Sequence, residues 1–396
     1  MEQCNYCGFV LEALGSNCPN CGVAVPGRPP AAVVALEPVQ PRQATPYRRW
    51  RGWLKPLLAL LLVAGLLTLP QAQPFLHGLD DLWGELNSSY YEVPETVSMT
   101  LMRNFTIFLT SGPSADWRLA LSEPGHRPSG PQGAGNSWQE IHTLDATPAW
   151  DDRHAGKMLW EGHIEGDERA EISVSYNVTV STIISDLKAE GAGTIDQYPA
   201  AYDDFLQDEW KVEPSNTQVQ ELATQFANGT GGNVLSILRN IFDYIMGNFT
   251  YVLGTTPKSC DQTLGYGYGD CDDLGLLYVS IARAAGIPAW MELGMIPRSS
   301  DGLQEWGGNA WVNALVTLDG GNYTVVTVDL ANGYYLWMPP YRLSEYVDNG
   351  DPEDLQAFYF LFSSQGSGPA SVAQDISAAS YRYPCNLRLA ACHISC

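Results

Sequence analysis

An α+β fold is predicted by three features of this 396-residue chain. From Glu92 to about Lys188 apolar and polar residues alternate in strand fashion. Residues 195–250 switch to a helical repeat, and a helix opening on Cys271 is followed by three further alternating runs. A β-rich region that precedes a mixed core in this way points to a β-sandwich-like accessory domain, placed at 90–190, ahead of an α/β core at 200–345.

The elements follow in chain order. Thr96 to Met102, Phe105 to Leu109, Met158 to Ile164 and Ala170 to Val180 read as strands, separated by Gly/Pro/Ser-rich turns such as Ser122 to Ser137. Val219, Leu222, Ala223 and Phe226 recur at helical spacing, as do Val234, Leu235, Leu238, Ile241, Phe242 and Ile245. Gly265, Gly267 and Gly269 form a flexible approach to Asp270, an N-cap residue, and Leu274, Leu277, Tyr278, Ile281 and Ala285 continue the helix that Cys271 opens. Gly286 and Pro288 end it. Ala289 to Pro297, Asn309 to Thr317 and Tyr323 to Leu330 alternate as strands. A thiol in the first turn of a helix faces unpaired N–H groups and the positive end of the macrodipole, so Cys271 is expected to be drawn toward thiolate.

Gly269-Asp270-Cys271, then a helix, then Arg283 to Trp290, resemble the core of the transglutaminase-like superfamily, which is papain-like in fold. Gly308-Asn309-Ala310-Trp311-Val312 and Val328-Asp329-Leu330 match that family's two following strands in order and spacing, over roughly 215–345. The resemblance implies a Cys-His-Asp site, mapped here to Cys271, Asn309 and Asp329. One position departs from the pattern: the histidine is replaced by Asn309. An amide does not titrate near neutrality, so it cannot take the thiol proton or return one to a leaving group. The six histidines (His77, His126, His142, His154, His163, His393) all lie outside the stretch between Cys271 and Asp329. The sequence therefore favours a domain that has lost normal catalysis and binds a peptide or protein ligand through its inherited cleft. The alternative is an active cysteine transamidase, protease or peptide hydrolase with Cys271 as nucleophile, in which Asn309 orients substrate or stabilises an oxyanion. A third reading joins Cys260 and Cys271 in a disulfide and removes the nucleophile.

The rest of the chain sets the context. Cys4, Cys7, Cys18 and Cys21 form two Cys-x-x-Cys-Gly knuckles that resemble a zinc ribbon, a closed structural Zn²⁺ site with no open position for chemistry. This module is placed at 1–25 and a Pro-rich linker at 26–52. The apolar run from Pro56 to Pro70, flanked by basic residues with Trp50 and Trp53, is read as one transmembrane helix at 53–76. The basic flank orients the N-terminus to the cytoplasm and the remaining domains outside a cell membrane. Residues before Pro56 carry six basic and three acidic side chains, so the total charge of −23 leaves −26 beyond them. That acidity argues against nucleic acid and anionic lipid as partners of the outer domains. Six Asn-x-Ser/Thr sequons, at Asn87, Asn104, Asn177, Asn228, Asn248 and Asn322, all follow the apolar run, where about two are expected by chance. Cys385, Cys392 and Cys396 close a C-terminal extension, 346–396, from which no function is read.

Overall fold

The computed structural model describes residues 90–382, apart from 125–126, 129–136, 155, 255, 299–304 and 360, together with 386–390 and the short strand pair Glu2–Gln3 with Val10–Leu11. The four knuckle cysteines, the apolar run at 53–76 and the three C-terminal cysteines lie outside the described residues. Among the described residues no helix is long and apolar enough to cross a membrane. The strands Tyr90–Pro94 and Asn386–Ala390 pair with each other.

Strand β1 (Thr96–Leu109) alternates along its whole length. Val97, Met99, Leu101, Phe105 and Ile107 point inward and the residues between them outward. With β2 (Ser114–Ser122), β3 (Ser137–Thr147), β4 (Lys157–Glu165) and β5 (Arg169–Ser181) it builds two antiparallel sheets. The register of β1 on β5 runs unbroken from Thr96 opposite Ser181 to Phe108 opposite Arg169. One inward position of β1 is charged. Arg103 is buried and bonds Glu345 at 2.5 Å and Gln374 at 2.8 Å, which satisfies a guanidinium that could not otherwise leave water.

The core starts with α1 (Thr217–Ala227) and α2 (Val234–Asn248), capped by the side chains of Asn216 and Asn233. A short helix α3 (Cys260–Tyr266) leads to α4 (Cys271–Ala284). The glycine-rich approach is thus largely helical rather than flexible: only Gly267 adopts a left-handed conformation, and it ends α3. Helix α4 is buried at almost every position from Cys271 to Arg283. It packs on the sheet of β6 (Ala289–Pro297), β7 (Trp306–Thr317), β8 (Tyr323–Asp329) and β9 (Leu343–Val347), in the order Tyr334–Tyr335, β8, β7, β6, β9. Met291, Leu293, Ala310, Val312, Val326 and Val328 face the helices, while Met295, Trp306, Trp311 and Leu343 join the sandwich core. At Gly294 a Cβ would lie 1.9 Å from the Leu343 carbonyl oxygen, so only glycine permits this close crossing of β6 and β9.

The chain then turns through α5 (Pro352–Tyr359) and re-enters the sandwich. Strand β10 (Phe362–Gly366) pairs with β2, and β11 (Ala370–Arg382) pairs with β1. The segment from 346 is therefore not simply an appendage: it supplies an edge strand to each sandwich sheet. Pairing over so long a sequence separation leaves no local signal in the residue pattern.

Candidate active site

The start of α4 is fixed by reciprocal carboxylate bonds. Asp270 accepts the Asp273 N–H at 3.3 Å and Asp273 accepts the Asp270 N–H at 3.1 Å, a capping box built from two aspartates. The same carboxylates hold the preceding loop. The Gly254 N–H donates to Asp270 at 2.9 Å, and Asp273 accepts the Lys258 N–H at 2.7 Å as well as pairing with the Lys258 ammonium. At Gly269 a Cβ would lie 2.5 Å from the Asp273 Cβ, so glycine is required for the loop to meet the helix.

Cys271 is buried at this junction and its Sγ donates to Asp272 Oδ1 at 3.9 Å. Burial pushes the thiol pKa well up, and the carboxylates of Asp272 and Asp270 push it further; the Ala310 N–H, which bonds the sulfur, opposes them. The expected activation by the helix start is thus overturned. Desolvation and two adjacent negative groups outweigh a macrodipole worth about 0.3–1 kcal/mol at ordinary sites. The crowded carboxylates respond in turn. Asp270 is raised to about 6 by burial and by Asp273, and Asp272 is raised well above the usual range by burial and by Asp270. Cys271 Sγ and one oxygen each of Asp270 and Asp272 lie within 4.8 Å of one another. Both Asp270 oxygens are already taken by backbone N–H groups, so the trio is a charge cluster and not an open ligand set.

Asn309, on β7, donates from Nδ2 to Asp329 Oδ2 at 2.9 Å, at the end of β8. Both are buried. Asp329 also accepts the Asn332 N–H at 3.0 Å and the Asn332 amide at 2.8 Å. Burial raises the Asp329 pKa, and the bonds from Asn332 and Asn309 restrain the rise. The Asp329 carboxylate is therefore saturated by neutral amides, and none of them can carry a proton to or from Cys271. Two further groups are added by the structure. The Tyr251 hydroxyl hydrogen-bonds the Cys271 thiol, and the buried Tyr359 hydroxyl of α5 faces Asp272 without a partner in ordinary hydrogen-bond geometry. Both tyrosines come from segments far from Cys271 in sequence, so spacing alone does not find them. Asn332 had a signal: an asparagine three residues after a buried aspartate is a turn signature.

No histidine fills the gap among the described residues. His142 bonds Thr179 at 2.7 Å and His163 bonds Asp116 at 2.7 Å, both exposed on sandwich strands. The proposed disulfide is also excluded: Cys260 and Cys271 are both free thiols, and Cys260 bonds the Ser280 hydroxyl at 3.2 Å inside the core.

Residues 220–329 match the Transglutaminase-like superfamily. The chain carries a transglutaminase-like domain. That match spans Cys271, Asn309 and Asp329 and omits the sandwich. No curated protein sequence matches the chain. Among solved structures, a protein described as "Putative Cysteine Protease" from Cytophaga hutchinsonii is similar at 16% identity and a TM-score of 0.51, covering 74% of this chain and 94% of its own. At that identity the likeness is one of fold, and it includes more of the chain than the transglutaminase-like domain alone. A "putative protease" from Parabacteroides distasonis (15% identity, TM-score 0.24, 63% and 48% covered) superposes far less well. So does the periplasmic domain of TgpA from Pseudomonas aeruginosa bound to ethylmercury (14%, 0.23, 61% and 90%), and neither carries weight here.

The thiol's environment has a direct consequence. Asp272→Asn removes the negative group nearest the sulfur, so the Cys271 pKa is expected to fall. Alkylation by iodoacetamide at pH 7.5 should then accelerate several-fold over wild type. If Asp272 instead served as the proton acceptor for Cys271, the same substitution would slow alkylation.

Proposed function

We propose that this chain is a membrane-anchored protein whose transglutaminase-like domain lies outside the cytoplasm, is catalytically impaired, and binds a peptide or protein segment at the Cys271 cleft. One observation carries the reading. Asn309 stands where the family's pattern has histidine, and its amide is bonded to the Asp329 carboxylate that would orient that histidine. The protonated state favoured for Cys271 supports it. The span at 53–76, the orientation from its basic flank, and the zinc ribbon on Cys4, Cys7, Cys18 and Cys21 belong to the same proposal and rest on the sequence. The ribbon would serve as a structural or docking module on the cytoplasmic side.

A second reading is a slow thiol enzyme. It is favoured by the Ala310 N–H at the sulfur, a donor that stabilises a thiolate, and by the reactivity a cysteine keeps without a base. The two readings separate by assay. Full-length protein in detergent is tested for transamidation and for amide hydrolysis beside its Cys271→Ala variant. The proposal expects equal background rates in both, and turnover lost in Cys271→Ala would overturn it.

A further inference from the structure

The described asparagines after residue 90 fall into two groups. Eight described asparagines lie outside Asn-x-Thr sequons after residue 90, and the seven other than Asn386 each have structural work. Asn216 and Asn233 cap helices, and Asn240 bonds the Phe226 carbonyl. Asn309, Asn313, Asn332 and Asn349 bond carboxylates. Only Asn240 and Asn349 of these are exposed. The five sequon asparagines behave oppositely: Asn104, Asn177, Asn228, Asn248 and Asn322 are all exposed. Among the described residues Asn177, Asn228 and Asn322 make no side-chain hydrogen bond. Asn104 uses only its oxygen, accepting from Ser173 at 2.8 Å. Asn248 alone engages its amide nitrogen, donating to the Tyr244 carbonyl at 2.8 Å.

We infer that Asn104, Asn177, Asn228, Asn248 and Asn322 are N-glycan acceptor sites, an inference that rests on the outward orientation proposed above. Three of these side chains hold nothing in place and a fourth, Asn104, leaves its amide nitrogen free, yet all sit exposed at the first position of Asn-x-Thr, where a polar side chain with so little structural work needs another reason to be there. They are spread over the outward side of the sandwich strands β1 and β5, the ends of α1 and α2, and the turn before β8. In the transfer step Nδ2 forms a C–N bond to the anomeric carbon of a lipid-phosphate-linked oligosaccharide. The anomeric C–O bond breaks, the lipid phosphate leaves with that electron pair, and the amide proton passes to a base of the membrane transferase. Asn248 must release its bond to Tyr244 and is expected to be the least occupied.

The test is glycopeptide mass spectrometry on the full chain purified from its own source's membranes, with surface proteolysis of intact cells in parallel. Expected are sugar-mass increments on the peptides bearing these asparagines, and loss of the increment at Asn322 alone in Thr324→Ala. Unmodified peptides overturn the inference. If the domain is nonetheless cleaved from outside, the orientation stands without glycans; if it is protected, both readings fall together.

Discussion

Asn309→His is expected to raise the rate at which Cys271 attacks an activated acyl ester by on the order of 10²-fold at pH 7. The imidazole would meet Asp329 where the Asn309 amide now donates at 2.9 Å, and that carboxylate would fix its tautomer and orientation. Its second nitrogen could then take the thiol proton, which the neighbourhood of Asp272 and Asp270 otherwise retains. General acid–base assistance is worth roughly 10²–10⁴-fold, and the lower part of that range applies because the two aspartates remain. Single-turnover acylation measured by mass reads the effect directly. An unchanged rate would mean that something other than the missing base limits the thiol.

Arg283→Met is expected to be the most destabilising single substitution in the transglutaminase-like domain, by about 3–5 kcal/mol. Arg283 is fully enclosed. Its guanidinium pairs with Glu209, reaches Asp348 at 3.4 Å, and donates to the Ala289 and Gln207 carbonyls at 2.7 and 2.8 Å. Removing it strands a buried negative charge and two carbonyls at once. Chemical denaturation with an unchanged m-value would report it. The same cluster sets a pH dependence. Burial, then Asp348, raises Glu209 from its ordinary 4.5 to about 8, against the opposing pull of Arg283. Between those values the folded chain holds a proton that the unfolded chain has released, so stability falls as pH rises through about 8. Glu209→Gln should flatten that slope, and a slope unchanged by the substitution would assign it elsewhere.

Much of this architecture was legible where the physics is local. Asp270 at the N-cap and Gly286 after the last turn mark the ends of α4, because capping chemistry acts within four residues. Alternation marked β4 and β5 and the strands that carry Asn309 and Asp329, but it showed β1 as two strands, because the inward residue between them is the charged Arg103. What the sequence hid is tertiary. Tyr251 reaches the thiol and Tyr359 reaches Asp272 from opposite sides of α4 in the sequence, and β10 and β11 return to sheets begun more than 200 residues earlier. The state of Cys271 was hidden for the same reason. Its position at a helix start is visible in the residues, whereas the burial and the direction of the Asp272 side chain are set only by packing. Arg283 lies in a recognisable family segment, but its two buried carboxylates come from residues 74 and 65 positions away.

Cys271 is held protonated and unassisted. The pH profile of its alkylation by iodoacetamide tests this most directly, read site-specifically by peptide mass so that Cys260 is counted apart. The expected profile rises throughout the alkaline range, with a midpoint above the free-cysteine value of about 8.5. A plateau reached below about pH 7 would reveal a preformed thiolate and contradict the account.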